Sequence, residues 1–509
     1  MIVQIKSIAA ETKDRNIPFK LDESEVKKLI ERVTNKTYAD RFEFEKIPAS
    51  SKGLDEFEIT DLPKGKILIR ATGGIAAANA FNWYLTNRCN SYVGPLNIRM
   101  EYPKEPPKIN GVIKEKSKFL YRYLFNYCTF GYTMPIWQWS EWEQFLDWIL
   151  LSGYNLVLNP IGHEEVWRQV LTTIGYSSEE IGKLIAGPAY TPWQWMMNMT
   201  GWGGPPPAWW YQDRVELSQK ISTRLRKFGV SIMLPGYSGM VPLDFGERFS
   251  DAKLIDQGSW CGFKRPPILL PEDKMFNTIA DLFYKIQKSI FGNEYCHYYS
   301  TDPFHEGGNT EGMDLPKYAD LLMKKMLEHD ENAVWFFQGW QDNPRREMLN
   351  VLDKGHVLVG NLSADANIDG GDNFANSPWL YCTVNNFGGQ RLLRGNVINS
   401  LTRPHKLQKD NNYAFVGIGY MPEAIVADEV FFDIISHISI KEEQPTLDEW
   451  LCEYIRIRYG SYSSNLYNAW KILCHSVYIS DGICGPRESG LCSRPSLSVD
   501  RVSTWGSPQ

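Results

Sequence analysis

Between residues 117 and 430 the chain alternates short apolar runs with longer stretches whose apolar residues recur every three or four positions. The runs Leu120–Asn126, Asn155–Leu158, Val230–Leu234, His297–Thr301, Val334–Gln338, Val357–Asn361, Leu380–Val384 and Phe415–Gly419 have the length and composition of strands. Helical patterns separate most of them. Ser140 with Glu143 predicts a capping box ahead of Phe145, Leu146 and Ile149, with Gly153 closing that helix. Repeated β/α units of this kind predict an α/β protein built on a (β/α)8 TIM barrel; an open doubly wound sheet is the rival arrangement.

The flanks follow other patterns. Residues 1–105 read as a small α/β domain. Asp22 with Glu25 predicts the start of a helix whose apolar face is Val26, Leu29, Ile30 and Val33. Strands follow at Phe57–Ile59 and Lys66–Arg70, then an alanine-rich helix from Ile75 to Leu85 opened by Gly73-Gly74. The proline-rich join from Tyr102 to Lys108 predicts a boundary, which places the barrel domain at residues 106–440. In residues 441–509, Thr446 and Glu449 predict a capped helix through Trp450, Leu451, Tyr454 and Ile455, and a second amphipathic run covers Leu466 to Leu473. The last stretch is rich in Ser, Gly, Arg and Pro. Two helices with no visible partner read as the start of a helical domain, apparently truncated.

Composition narrows the function. A formal charge of -6 over 509 residues argues against a nucleic-acid partner, which would need a basic face. No apolar run is long enough for a membrane span, and the start, Met1-Ile-Val-Gln-Ile-Lys-Ser-Ile, lacks the apolar core of a signal peptide. The nine cysteines form no metal pattern; Cys474, Cys484 and Cys492 are spaced too widely for a zinc pair, and a disulfide among them is left open. His163-Glu164-Glu165 matches a metalloprotease helix only at its first two positions. No zinc site is expected. Asn35, Asn198 and Asn361 head N-x-S/T triplets that permit glycosylation in a secretory setting. The 18 tryptophans are the compositional outlier. Trp193, Trp195, Trp202, Trp209 and Trp210 fall in Gly/Pro-rich stretches, where a flat ring either fills the core or stacks on a sugar.

Barrel chemistry gathers at the C-terminal ends of the strands. Those ends carry Asn126, Cys128, Asn159, Tyr237, Asp302 through Glu306, Trp340, Asn361, Asn385, Asn386 and Glu423. Two glutamates just past strand ends suit a glycosidase, which protonates the leaving oxygen with one carboxylic acid and stabilises the anomeric carbon with a carboxylate. Glu306 follows an aromatic strand that would desolvate it and favour its protonated form, so it is the candidate acid, with Glu423 the candidate nucleophile. A solvated loop charge is the competing reading for either one alone. His305 either orients a sugar hydroxyl or packs beneath the loop. Asp428-Glu429 is an adjacent pair of the sort used by acetamido-assisted hexosaminidases, or else a helix-start ion pair.

The pieces Tyr121-Arg-Tyr…Asn126-Tyr-Cys-Thr-Phe-Gly-Tyr132, Trp193-Gln-Trp-Met-Met-Asn198, Gln257-Gly-Ser-Trp260, Asp302-Pro-Phe-His-Glu306, Gln338-Gly-Trp340, Asn385-Asn-Phe-Gly-Gly389 and Met421-Pro-Glu423 resemble the alpha-N-acetylglucosaminidases of glycoside hydrolase family 89. The likeness runs from the Ala71-Thr-Gly-Gly74 segment to Arg494-Pro-Ser496. It implies retaining hydrolysis of terminal α-linked N-acetylglucosamine from a glycan, with Glu306 as acid/base and Glu423 as nucleophile. It implies a sugar pocket formed by Asn126, Cys128, Tyr132, Trp193, Trp260, His305 and Trp340. A secreted, periplasmic or lysosomal setting is also implied, as is the lack of any metal or organic cofactor, while homo-oligomerisation stays open. Family members continue past the point where this chain stops, which makes a weakly active glycan-binding relative the alternative.

Overall fold

A computed structural model of the chain describes residues 20–479, except 50–52, 293–295, 366–371, 390–392, 411–413, 427 and 442. Eight parallel strands close into a barrel: β1 (Tyr121–Leu124), β2 (Leu156–Leu158), β3 (Ser231–Pro235), β4 (Tyr298–Ser300), β5 (Val334–Gly339), β6 (Val357–Asn361), β7 (Trp379–Tyr381) and β8 (Phe415–Tyr420). Each pairs with the next in the chain, and β8 returns to β1 through Gly417 opposite Tyr121. Closure excludes the open sheet. The lumen is filled: the Tyr298 hydroxyl donates to that of Tyr121 at 3.1 Å, and the Tyr123 and Phe336 rings lie 4.8 Å apart. Neither pair sits on adjacent strands, so both contacts cross the interior, and any ligand space must lie above the packed layers.

The helix Trp139–Leu151 forms as expected, with a shifted cap. Gln138 is its N-cap, its N–H donating to Glu141 at 3.0 Å, while Glu143 instead pairs with Arg224 at 2.8 Å. Ser140 lies two residues too far in, and the Trp137 ring just before the cap packs against Trp142 and Phe145. Gly153 follows the helix end with φ +81°, a left-handed conformation that suits glycine.

The N-terminal sheet has the order Phe42–Lys46, Lys66–Ala71, Glu56–Leu62, Val112–Lys116. Its last strand lies beyond the proline-rich join and pairs back onto Glu56–Leu62, so the sheet of this unit draws on residues past 105. Helix Glu23–Val33 begins at Asp22, whose carboxylate accepts from Ser24 and Glu25, and it buries Val26, Leu29 and Ile30 against the sheet.

The two late helices do have a partner. Leu447–Tyr459, capped by Thr446 and Glu449 as expected, is followed by Ser464–Cys474. Trp450, Leu451, Tyr454 and Ile455 are buried, and Arg456 donates to Thr86 O at 3.1 Å on the N-terminal helix Gly74–Arg88. Sequence pattern showed only the apolar stripe; the matching surface lies about 370 residues upstream. Among the described residues, no helix is long and apolar enough to cross a membrane. Cys484 and Cys492 lie outside them, and Cys474 is a buried free thiol.

Candidate active site

At the C-terminal ends of the strands lies a cavity of about 700 Å³, lined by Asn126, Cys128, Tyr132, Trp193, Trp260, His305, Glu306, Trp340 and Glu423. Glu306, Glu423 and the seven residues that the family resemblance implies for the sugar pocket therefore meet in one place. The volume is that of a small-ligand site.

Glu306 is held from two directions. Trp260 Nε1 donates to Oε2 at 2.6 Å and Trp340 Nε1 donates to Oε1 at 2.8 Å, so both carboxyl oxygens act as acceptors. Its backbone has φ +52°, an unfavourable conformation for a residue with a side chain. Arg265 stabilises that turn. Its buried guanidinium donates from Nη2 to both His305 O and Glu306 O at 2.9 Å, and Asn198 Nδ2 adds a bond to His305 O at 3.2 Å. The His305 ring is buried, which lowers it to about 4 and keeps it neutral; its buried Nδ1 has no hydrogen-bond partner among the described residues.

Glu423 sits on the opposite arc, after β8. Its backbone N–H donates to Asn386 Oδ1 at 2.7 Å, and Asn386 Nδ2 returns a bond to Ala424 O at 2.6 Å, which fixes the turn. The Gly388 N–H donates to the carboxylate. Burial raises Glu423 to about 7; the Gly388 bond opposes this and the charge of Glu306 adds to it. Desolvation thus acts on Glu423, and the indole N–H groups of Trp260 and Trp340 point at Glu306.

Asn126 ties the end of β1 to the turn that carries Glu423. Its Oδ1 accepts from Cys128 N at 3.0 Å to start the short helix Tyr127–Tyr132, and its Nδ2 reaches Met421 O at 3.4 Å, two residues before Glu423. The Cys128 thiol is pushed well up by burial, then by the two glutamates, so it presents a neutral surface. Gly131 on the same helix leaves room for Trp193: a Cβ there would lie 2.7 Å from the indole. The Tyr132 and Trp193 rings meet edge to face at 5.0 Å.

Other strand-end residues lie beneath the cavity or to its side. Asn159 bonds Ser218 and Ser222, Tyr237 packs on Trp167 and Phe276, Asn361 accepts from Ser363 N, and Asn385 pairs with Tyr420. Asp302 is fully buried and raised to about 7 by desolvation, and it accepts from Gln338 N, Gln338 Nε2 and Asn343 Nδ2. These bonds set the turn that carries Trp340. An Asp302→Ala change strands three buried donors, so a loss of about 3 kcal/mol is expected in denaturant unfolding; a loss under about 0.5 would show that the donors find water instead.

Other residues line the cavity that the sequence did not single out one by one; of these only Met196, Phe387 and Gly388 fall inside the motifs that carry the family resemblance. Met196, Gln341, Leu362, Val384, Phe387, Gly388 and Arg394 also line the cavity. The apolar ones read as core in sequence, and Arg265 sits in a charged surface-like stretch with nothing to mark it. Of the flagged loop tryptophans, Trp195 and Trp210 are buried, Trp193 lines the cavity, and Trp202 and Trp209 are exposed. Asp428 and Glu429 are not part of the lining: Glu429 pairs with Arg458 at 2.7 Å and Asp428 accepts from Tyr478 at 2.8 Å. His163 is core, stacked on Phe291 and bonded to Gln287. Asn198 and Asn361 are buried, which closes those two sequons in the folded chain.

A closed (β/α)8 barrel whose mouth holds two glutamates among tryptophans has the architecture of a glycoside hydrolase. A model of the alpha-N-acetylglucosaminidase TIM-barrel domain matches residues 122–442, and models of that family's N-terminal and C-terminal domains match 24–108 and 450–508. The chain belongs to the alpha-N-acetylglucosaminidases, glycoside hydrolase family 89. It is 30% identical to the human alpha-N-acetylglucosaminidase over 481 residues, covering 91% of this chain and 64% of that protein. It superposes with a TM-score of 0.88 on the Clostridium perfringens family 89 glycoside hydrolase in complex with 2-acetamido-1,2-dideoxynojirmycin, at 36% identity over 95% of this chain and 56% of the other. The Clostridium protein in complex with its substrate GlcNAc-alpha-1,4-galactose, also with a TM-score of 0.88, is 34% identical over 99% of this chain and 57% of its own. The chain thus spans less than two thirds of the length of these relatives.

Proposed function

We propose that the chain is a retaining exo-glycosidase that releases terminal α-linked N-acetylglucosamine from glycans. The observation that carries this reading is the convergence of Glu306 and Glu423 on one cavity walled by Trp193, Trp260 and Trp340. Glu306 protonates the glycosidic oxygen while a Glu423 oxygen bonds to the anomeric carbon and the leaving sugar departs. Glu306, now a carboxylate, takes a proton from water; the water oxygen bonds to the same carbon and Glu423 is released. The neutral His305 ring and Asn126 line this cavity, and in this reading they contact sugar hydroxyls. The relative caught with its substrate carries two glutamate-to-glutamine substitutions, which fits a mechanism that depends on two glutamates.

Acetamido-assisted chemistry through Asp428-Glu429 is disfavoured, because Glu429 is engaged by Arg458 and Asn97 away from the cavity. Proton NMR of the reaction on 4-nitrophenyl α-N-acetylglucosaminide provides the test. The α-anomer of N-acetylglucosamine is expected first, followed by mutarotation. Initial β-anomer would overturn retention, and absence of hydrolysis would overturn the activity.

A further inference from the structure

Trp260, which bonds Glu306, is the first member of an aromatic series that leaves the cavity. Its ring lies 6.4 Å from Phe263 in a stacked arrangement at 30°, Phe263 lies 5.2 Å from Trp202, and Trp202 lies 6.4 Å from Tyr190. The series opens to solvent as it goes: Trp260 and Phe263 are half-buried, while Tyr190 is 38% and Trp202 52% exposed. It is built by two segments, the loop after β2 and the hairpin after β3, both on the catalytic face of the barrel.

The outer ring stands on a firm base. Gly187 N donates to Trp202 O at 2.8 Å, and the two backbones are so close that a Cβ on Gly187 would lie 2.0 Å from Gly203 O. A large apolar ring fixed in place and left half in water costs solvation free energy without filling a core, which marks it as a contact surface. The chemistry defines which part of a substrate would reach it. An acid that protonates the glycosidic oxygen must touch the leaving sugar, so the leaving chain starts on the Glu306 side, where this series begins.

We propose that Trp260, Phe263, Trp202 and Tyr190 form a platform for the leaving-group portion of a glycan, extending at least one sugar beyond the residue next to the cleaved bond. The inference rests on the proposed glycosidase reading and deepens it: the preferred substrate is an oligosaccharide, whose sugar rings lay their C–H faces on the aromatic series. A sugar face covering an exposed indole removes apolar surface from water, and loss of such a tryptophan contact is expected to cost about tenfold.

The test compares 4-nitrophenyl α-N-acetylglucosaminide with a tetrasaccharide ending in α-linked N-acetylglucosamine. For Trp202→Ala, kcat/KM on the tetrasaccharide is expected to fall about tenfold further than on the aryl glycoside. Equal losses on both, or none, would overturn the platform. Calorimetry separates this from failure of the activity itself: the trisaccharide lacking the terminal sugar, added to Glu423→Gln protein, is expected to bind about tenfold more weakly when Trp202→Ala is also present. Binding indifferent to Trp202 would sink the platform even if the enzyme is active, and platform binding would stand even if hydrolysis were absent.

Discussion

Glu423→Ala is expected to lose turnover of every α-N-acetylglucosaminide by at least ~10⁴-fold while the protein stays folded, because the attacking atom is gone and no neighbouring side chain replaces it. The fold should not suffer. Glu423 is a carboxyl raised to about 7 by burial beside a second glutamate, so its removal relieves desolvation and repulsion. A melting temperature equal to or above that of the unmodified chain is the expected companion result. Azide provides a sharper readout: attack from the vacated face would yield the β-glycosyl azide. A variant that keeps most of its rate would remove Glu423 from the mechanism.

Glu306 variants should behave differently, and the difference identifies the acid. With a sugar leaving group, Glu306→Ala is expected to cost about 10²–10⁴-fold, the usual worth of general acid catalysis. With a dinitrophenyl leaving group, which departs without a proton, the first step should be nearly spared, and a burst of phenolate should precede slow release of the intermediate. Azide would then give the α-glycosyl azide, the opposite anomer from that of the Glu423 variant. The pH profile carries a second sign. In the proposed mechanism Glu423 attacks as the carboxylate, so kcat/KM should fall as pH drops below about 7. The Glu306 charge helps raise Glu423, so Glu306→Gln lowers it and should shift that acid limb toward lower pH. A limb that stays put, or moves to higher pH, would break the coupling between the two groups.

Much of the barrel was legible without coordinates, because its signals are local. Val357–Asn361 matches its strand end to end, and Phe415–Gly419 falls one residue short of its strand. A strand buried on both faces must be a short apolar run, and the helix that follows must carry an apolar stripe. Glu306 and Glu423 were visible for a related reason: polar residues directly after such runs stand at the barrel mouth whatever the rest of the chain does. Local signals also misled where they were not unique. Ser140 and Glu143 have capping-box spacing, but Gln138 and Glu141 form the cap, and the Trp137 ring just before it packs against Trp142.

The sequence alone therefore determined the fold class, the strand positions and the two candidate carboxylates, all of which follow from chain periodicity and the polarity of strand ends. Only the tertiary structure decided which strand-end residues share the cavity. Asn126 and Trp340 line it, whereas Asn159 and Tyr237, equally placed in sequence, bond beneath it or to its side. It also assigned Arg265 to the Glu306 turn and Asn386 to the Glu423 turn, and it set both the desolvation that raises Glu423 and the two indole N–H groups from which Glu306 accepts. The reason is physical: desolvation and hydrogen-bond direction depend on atoms brought together from segments tens to hundreds of residues apart, and no local pattern records which way an indole N–H will point.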